Sequence, residues 1–217
     1  MKQDVKTTVH FIRHGDAVPD ATTPFARTDG YDAMGLSAKG VFQADALARR
    51  LARTLAIAAV YASPTRRAYE TGAAVARAFD LAVVRDERLR EIALGEESLA
   101  ADLTPAEQAR AIRERLESLA AIALRDGSWS GVPGVEPAAD VRARMRATVD
   151  EIVARHPDEH VAVVSHAGTI NAHFAALLGT THDFFFSIGN TSLSSVRIAG
   201  GRTLLLRLND TAHLERA

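Results

Sequence analysis

Short apolar runs alternate with longer stretches of helical spacing along these 217 residues. Thr8 to Arg13 reads as a short buried strand, and Asp16 to Gly35, rich in Pro, Asp, Thr and Gly, as a loop. From a cap at Ser37, the positions Val41, Ala44, Leu47, Ala48, Leu51 and Leu55 mark a helix. Ala58 to Ala62 gives a second strand. Ser63-Pro64 then reads as a cap with proline at the first helical position, the helix running to about Phe79. Leu81 to Val84 predicts a short strand before the charged loop Arg85 to Glu97. Leu103 to Leu124 is helical, opened by Thr104-Pro105 with Glu107 at capping-box distance. Asp126 to Pro137 is a loop carrying Trp129. Val141, Met145, Val149, Ile152 and Val153 mark another helix, stopped before Pro157. Val161 to Ser165 is a fully buried strand and Ala167 to Leu178 a helix. Ser194 to Ile198 and Thr203 to Leu208 flank Gly200-Gly201 as a terminal hairpin. Strands alternating with helices predict an α/β protein, a three-layer α/β/α sandwich whose mostly parallel sheet has an antiparallel strand at one edge.

Composition narrows the function classes. The length suits one domain with a modest insertion, and 47% hydrophobic residues with 24% charged is an ordinary globular balance. A net charge of -1 gives no reason to expect nucleic acid or an anionic membrane as a partner. Without cysteine there is no thiolate nucleophile, disulfide frame or Cys-based zinc site. The run before Arg13 is too short for a signal-peptide core or a membrane span, so a cytoplasmic chain is expected. His10, His156, His160, His173, His182 and His213 show no ligand pairing on a common helix face, and no metal is expected.

Candidate chemistry gathers where strands end. Arg13-His14-Gly15 closes the first strand, and the carboxyl edge of an open α/β sheet is where ligands bind. An arginine fork suits a phosphoryl oxyanion, and a neutral imidazole can attack phosphorus. His166 closes the strand Val161 to Ser165 in the same way, and Ala167 and Gly168 open a helix whose N–H groups suit an anion. Arg66 and Arg67 follow a third strand end; neighbours on a helix point about 100° apart, so only one faces the site.

Together these elements resemble the histidine phosphatase superfamily, branch 1, which includes the cofactor-dependent phosphoglycerate mutases. Arg13-His14-Gly15 matches its signature, and Leu36-Ser37-Ala38-Lys39-Gly40-Val41-Phe42-Gln43-Ala44 its Leu-Ser/Thr-x-x-Gly-x-x-Gln-Ala helix start. Ser63 through Arg67 and Thr71 matches a Ser-x-x-x-Arg-x-x-x-Thr element, which selects Arg67. Leu89 to Gly95 resembles the segment holding the general acid and selects Glu91 over Glu87, Glu96 and Glu97. Val163-Val164-Ser165-His166 matches the second-histidine strand.

The resemblance implies a phosphoglycerate mutase-like fold and hydrolysis of a small-molecule phosphomonoester through phosphohistidine, with no cofactor. His14 is then the nucleophile, and Arg13, Arg67 and His166 hold the phosphoryl oxygens with help from Ala167. Glu91 is the acid and base. Gly15 and Asp16 fall beside the substrate, Asp16 being also a substitute acid. Residues from about 99 to 137 form a small cap, and its Arg110, Arg113 and Arg115 either attract an anion or lie on a solvated face. Glu136, in a Gly-Glu-Ser-like element, either bonds near the site or caps a helix. Two stretches depart from the family: Pro19-Asp20, where relatives carry asparagine, and Gly95-Glu96-Glu97-Ser98-Leu99, where they carry Gly-x-Trp-Glu-Gly. The compact cap favours hydrolysis over a mutase, and paired catalytic groups favour an enzyme over a phospho-ligand-binding module. A homodimer is allowed.

Overall fold

The computed structural model describes residues 6–18, 34–94 and 104–215. In chain order its elements begin with β1 (Lys6–Arg13), β2 (Ala17–Val18), β3 (Gly35–Leu36), α1 (Ala38–Thr54), β4 (Ile57–Ala62), α2 (Arg66–Arg77) and β5 (Val83–Arg85). A 3-10 turn at Glu87–Leu89 follows, then α3 (Pro105–Asp126), α4 (Ala138–Arg155), β6 (His160–Ser165), α5 (Ala167–Leu178), β7 (Leu193–Ala199) and β8 (Arg202–Asp210). The main sheet has the strand order β5-β4-β6-β1-β7-β8. Its first four strands are parallel, β7 runs antiparallel to β1, and the predicted hairpin β7-β8 closes that edge.

Period-two alternation divides the core between the sheet's faces. Ile12, Ala162 and Val164 point towards Leu47, Leu51 and Val75 of α1 and α2. Val9, Phe11, Val161 and Val163 point the other way, against Met145, Ile152, Ile170 and Phe174 of α4 and α5. A strand covered on both faces has no polar positions to spare, which is why β6 reads Val-Ala-Val-Val. The result is the three-layer sandwich. Outside it, Leu119 and Ala123 of α3 pack with Trp129, Val141 and Ala172 in a cluster of their own. Among the described residues, no helix is long and apolar enough to cross a membrane.

Register sets the chemistry in place. Arg13 pairs with Ser165 and Ala62 with Val164, so β1, β6 and β4 end side by side. His14, His166 and Ser63 therefore leave the sheet at one edge.

Three local expectations change. The stretch from Asp16 to Gly35 is not all loop: Ala17–Val18 pairs antiparallel with Gly35–Leu36. Helix α2 starts at Arg66 behind Thr65, so Ser63 is not its cap and Pro64 not its first residue. The Ser63 hydroxyl is spent instead on His166, whose Nε2 lies 2.9 Å away. The charged loop after β5 also contains the 3-10 turn, capped by the Asp86 carboxylate accepting from the Arg88 N–H.

Candidate active site

Two buried histidines share one arginine. His14 Nδ1 donates to its neighbour's carbonyl, Gly15 O, at 2.7 Å, which leaves Nε2 as the bare nitrogen. Arg67 Nε points at that Nε2 from 3.3 Å, and Arg67 Nη2 donates to His166 Nδ1 at 3.3 Å. His166 Nε2 in turn donates to Ser63 Oγ. Each ring thus has one nitrogen donating and one accepting, the pattern of a neutral imidazole. Burial, then the charges of Arg67 and Arg13, hold the His14 pKa well below its usual value. His166 is lowered by burial first and Arg67 second. Arg67 itself is 1% exposed. Arg66, on the adjacent helical face, instead pairs with Glu70 in solvent.

The loop after His14 is held from α1. Ser37 Oγ donates to Asp16 Oδ2 at 2.6 Å, and Gln43 Oε1 accepts from the Asp16 N–H at 2.9 Å. A Cβ on Gly40 would stand 1.9 Å from Asp16 O, so only glycine lets the helix approach. Ser37, Gly40 and Gln43 of the Leu-Ser-x-x-Gly-x-x-Gln pattern therefore all act on one loop. The Gly15 N–H is occupied by Thr71 Oγ1 at 3.0 Å, and Asp16, although at the cavity, has its carboxylate engaged by Ser37.

Glu91 docks onto the start of α5. Its Oε1 accepts from the Thr169 N–H at 3.0 Å and its Oε2 from the Gly168 N–H at 3.2 Å. A carboxylate at a helix N-terminus satisfies orphan donors and meets the favourable end of the dipole. The expected anion site at Ala167-Gly168 is thus filled, at Gly168, by the chain's own carboxylate. A Cβ on Gly168 would lie 2.5 Å from Ile92 Cδ1 and 2.7 Å from Glu91 Oε1, so a larger residue would push both side chains aside.

Arg13, His14, Arg67, Glu91 and Ala167 line one cavity of about 630 Å³. His166 is fully buried, bonded to the Arg67 guanidinium and packed edge-on against the His14 ring with centroids 5.0 Å apart. Leu116, Ala120 and Leu124 of α3 and the run Phe184 to Phe186 supply most of the cavity's apolar lining, with Arg113 and Glu117 on the same helix. Of the three cap arginines, Arg113 lines the cavity while Arg110 pairs with Glu114. Among the described residues, no three His, Cys, Asp or Glu side chains converge as metal ligands.

The model of the histidine phosphatase superfamily, branch 1, matches residues 9–211. This chain belongs to that superfamily. Among its relatives is a phosphoserine phosphatase of Hydrogenobacter thermophilus, 30% identical over 206 residues that cover 94% of this chain and 92% of the relative. A solved mycobacterial glucosyl-3-phosphoglycerate phosphatase is 28% identical with a TM-score of 0.69, covering 94% of this chain and 99% of the other. A phosphoglycerate mutase of Bacillus anthracis, at 20% identity and a TM-score of 0.70 over 98% of this chain and 97% of the other, shares the fold. Phosphomonoester hydrolysis is the activity that this membership supports.

Two parts of the histidine phosphatase site escape sequence reasoning. The first is Arg144 on α4, whose Nη1 donates to Arg88 O at 2.6 Å and Arg90 O at 2.9 Å. Its Nε is paired with Glu136 Oε1 at 2.7 Å, and Glu136 Oε2 accepts from the Ala93 N–H at 3.2 Å. Glu136 therefore does not cap α4, which Pro137 precedes; it braces the segment that carries Glu91. The second is the run Phe184-Phe185-Phe186. Three consecutive aromatics in a loop are a visible signal of a wall or interface. The departures at Pro19-Asp20 and at Gly95 to Leu99 lie outside the described residues.

Proposed function

We propose that His14 Nε2 attacks the phosphorus of a small phosphomonoester and that water then releases inorganic phosphate from the phosphohistidine. The observation that carries this reading is the His14 ring, held neutral with its proton-free nitrogen accepting from the Arg67 guanidinium. An incoming phosphate takes over donors of Arg67 and Arg13, which uncovers the nitrogen lone pair. As the N–P bond forms and the ester P–O bond breaks, the arginines stabilise charge spread over the equatorial oxygens. His166 works one step back, orienting Arg67 and adding no charge of its own.

Glu91 gives its proton to the leaving alkoxide and recovers one from the attacking water. The two halves balance: the alcohol departs with the first proton, and the P–N bond breaks as the second is taken. The monoester monoanion supplies the proton that Glu91 passes on, and the proton taken from water leaves with the phosphate, so Glu91 returns to the carboxylate. Residues from about 99 to 137 act as a cap of the single domain, with α3 as the wall over the bound alcohol. The reading includes a cytoplasmic setting and no cofactor.

Glu91→Gln tests the acid role. Phosphate release from alkyl esters should fall about 10²-fold or more, within the range for positioned acids, while p-nitrophenyl phosphate loses much less. An equal loss on both would overturn the assignment.

A further inference from the structure

The cavity has a built apolar end. Leu116, Ala120 and Leu124 recur every four residues and put one stripe of α3 on the cavity. Leu124 is 61% exposed, so this end of the stripe is open to whatever enters the cavity. The phenylalanine loop, which lines the same cavity, is held by the fold's own hydrogen bonds and ring contacts. Buried Asn171 accepts from the Phe185 and Phe186 N–H groups at 3.1 and 3.4 Å and donates to Phe186 O at 3.0 Å. Phe184 packs on Trp129 with ring centroids 5.1 Å apart, and Phe185 on Phe186 at 4.7 Å.

Among the described residues, charge in the cavity does not favour a second anion. Its described lining carries three cations, Arg13, Arg67 and Arg113, and three carboxylates, Asp16, Glu91 and Glu117. The phosphate end uses the first two cations. Beyond it stand Arg113 and Glu117, one helical turn apart and of opposite sign, so the described residues there add no net positive charge for a substrate carboxylate or second phosphate.

We infer that the preferred substrates are phosphomonoesters whose alcohol carries an extended apolar or aromatic group and no second anion. This rests on the phosphatase reading and specifies the class of its substrate. The alcohol lies between the α3 stripe and the phenylalanine wall, and its methylenes or ring leave water there.

The test is a series of ethyl, butyl, hexyl and octyl phosphate, whose leaving groups are alike in acidity, set against O-phosphoserine and 3-phosphoglycerate. Burial of each methylene predicts kcat/KM rising about twofold to fourfold per CH2, the upper figure matching about 0.8 kcal/mol. Leu124→Asp, on an exposed helical face, should flatten that slope. Leu204→Ser, an exposed leucine on β8 away from the cavity, should leave it as in the parent chain. A flat series, or O-phosphoserine or 3-phosphoglycerate preferred tenfold over octyl phosphate, overturns the inference while the phosphatase reading stands. If the folded protein releases phosphate from none of these esters nor from p-nitrophenyl phosphate, the phosphatase reading falls as well.

Discussion

At the scale of single residues, the site depends on which nitrogen of each histidine is free. His14 gives its Nδ1 proton to Gly15 O, and His166 gives its Nε2 proton to Ser63 Oγ, so both remaining nitrogens face Arg67. Arg144 plays the corresponding part for Glu91, as a positioning residue bonded to the carbonyls of Arg88 and Arg90. Misplacing a reacting group by about 1 Å can cost ~10²-fold. Arg144→Met is therefore expected to lower kcat on alkyl phosphates about 10-fold to 100-fold with a smaller change in KM. The loss should be less on p-nitrophenyl phosphate, since the damage passes through the acid. Arg144→Lys should recover only part, because an ammonium lacks the planar fork that serves carboxylate and carbonyls together. A uniform loss across leaving groups, measured beside thermal melts of each variant, would mean that Arg144 only stabilises the fold.

At the scale of elements, the strand and helix rhythm was legible because burial on both faces leaves a plain mark. β6 reads as an apolar run, and α1 shows seven buried positions at helical spacing with Ser37 accepting from the Gly40 N–H as a cap. The opening of α3 was legible too, since Thr104 and Glu107 form the expected capping box. The start of α2 was not. A serine followed by proline is a good local cap, but His166 lies 103 residues away in sequence and takes the Ser63 hydroxyl. Glu91 shows the same limit: sequence placed it near the site but could not show that its carboxylate closes the first turn of α5. Arg144 left no trace, because a single arginine on an amphipathic helix looks like any solvated one. Long-range partners decide these cases, and composition does not encode them.

At the scale of the whole molecule, a set of neutral buried histidines ties stability to pH. Burial lowers the pKa of His10 to about 3 and of His173 to about 4, and those of His14 and His166 fall well below 6.5. Below pH 6.5 the unfolded chain takes up protons that the folded chain refuses. Stability is therefore full above about pH 6.5 and is lost as pH falls, by about 1.4 kcal/mol per pH unit for each such histidine. Asp86 and Asp210, held low by hydrogen bonds from Arg88 and Arg50, add to the loss only at more acid pH. The guanidinium midpoint should accordingly drop clearly between pH 7.5 and 5.0. An unchanged midpoint would mean that these rings protonate within the fold.

The central claim is that phosphate passes through His14. Rapid acid-free quenching during turnover of a labelled monoester should trap phosphoryl on the protein that is stable to base and labile to acid, mapped to His14 Nε2. His14→Asn should carry no label while keeping the folded spectrum. Label that persists in that variant, or that is found on another residue of the parent chain, would contradict the account.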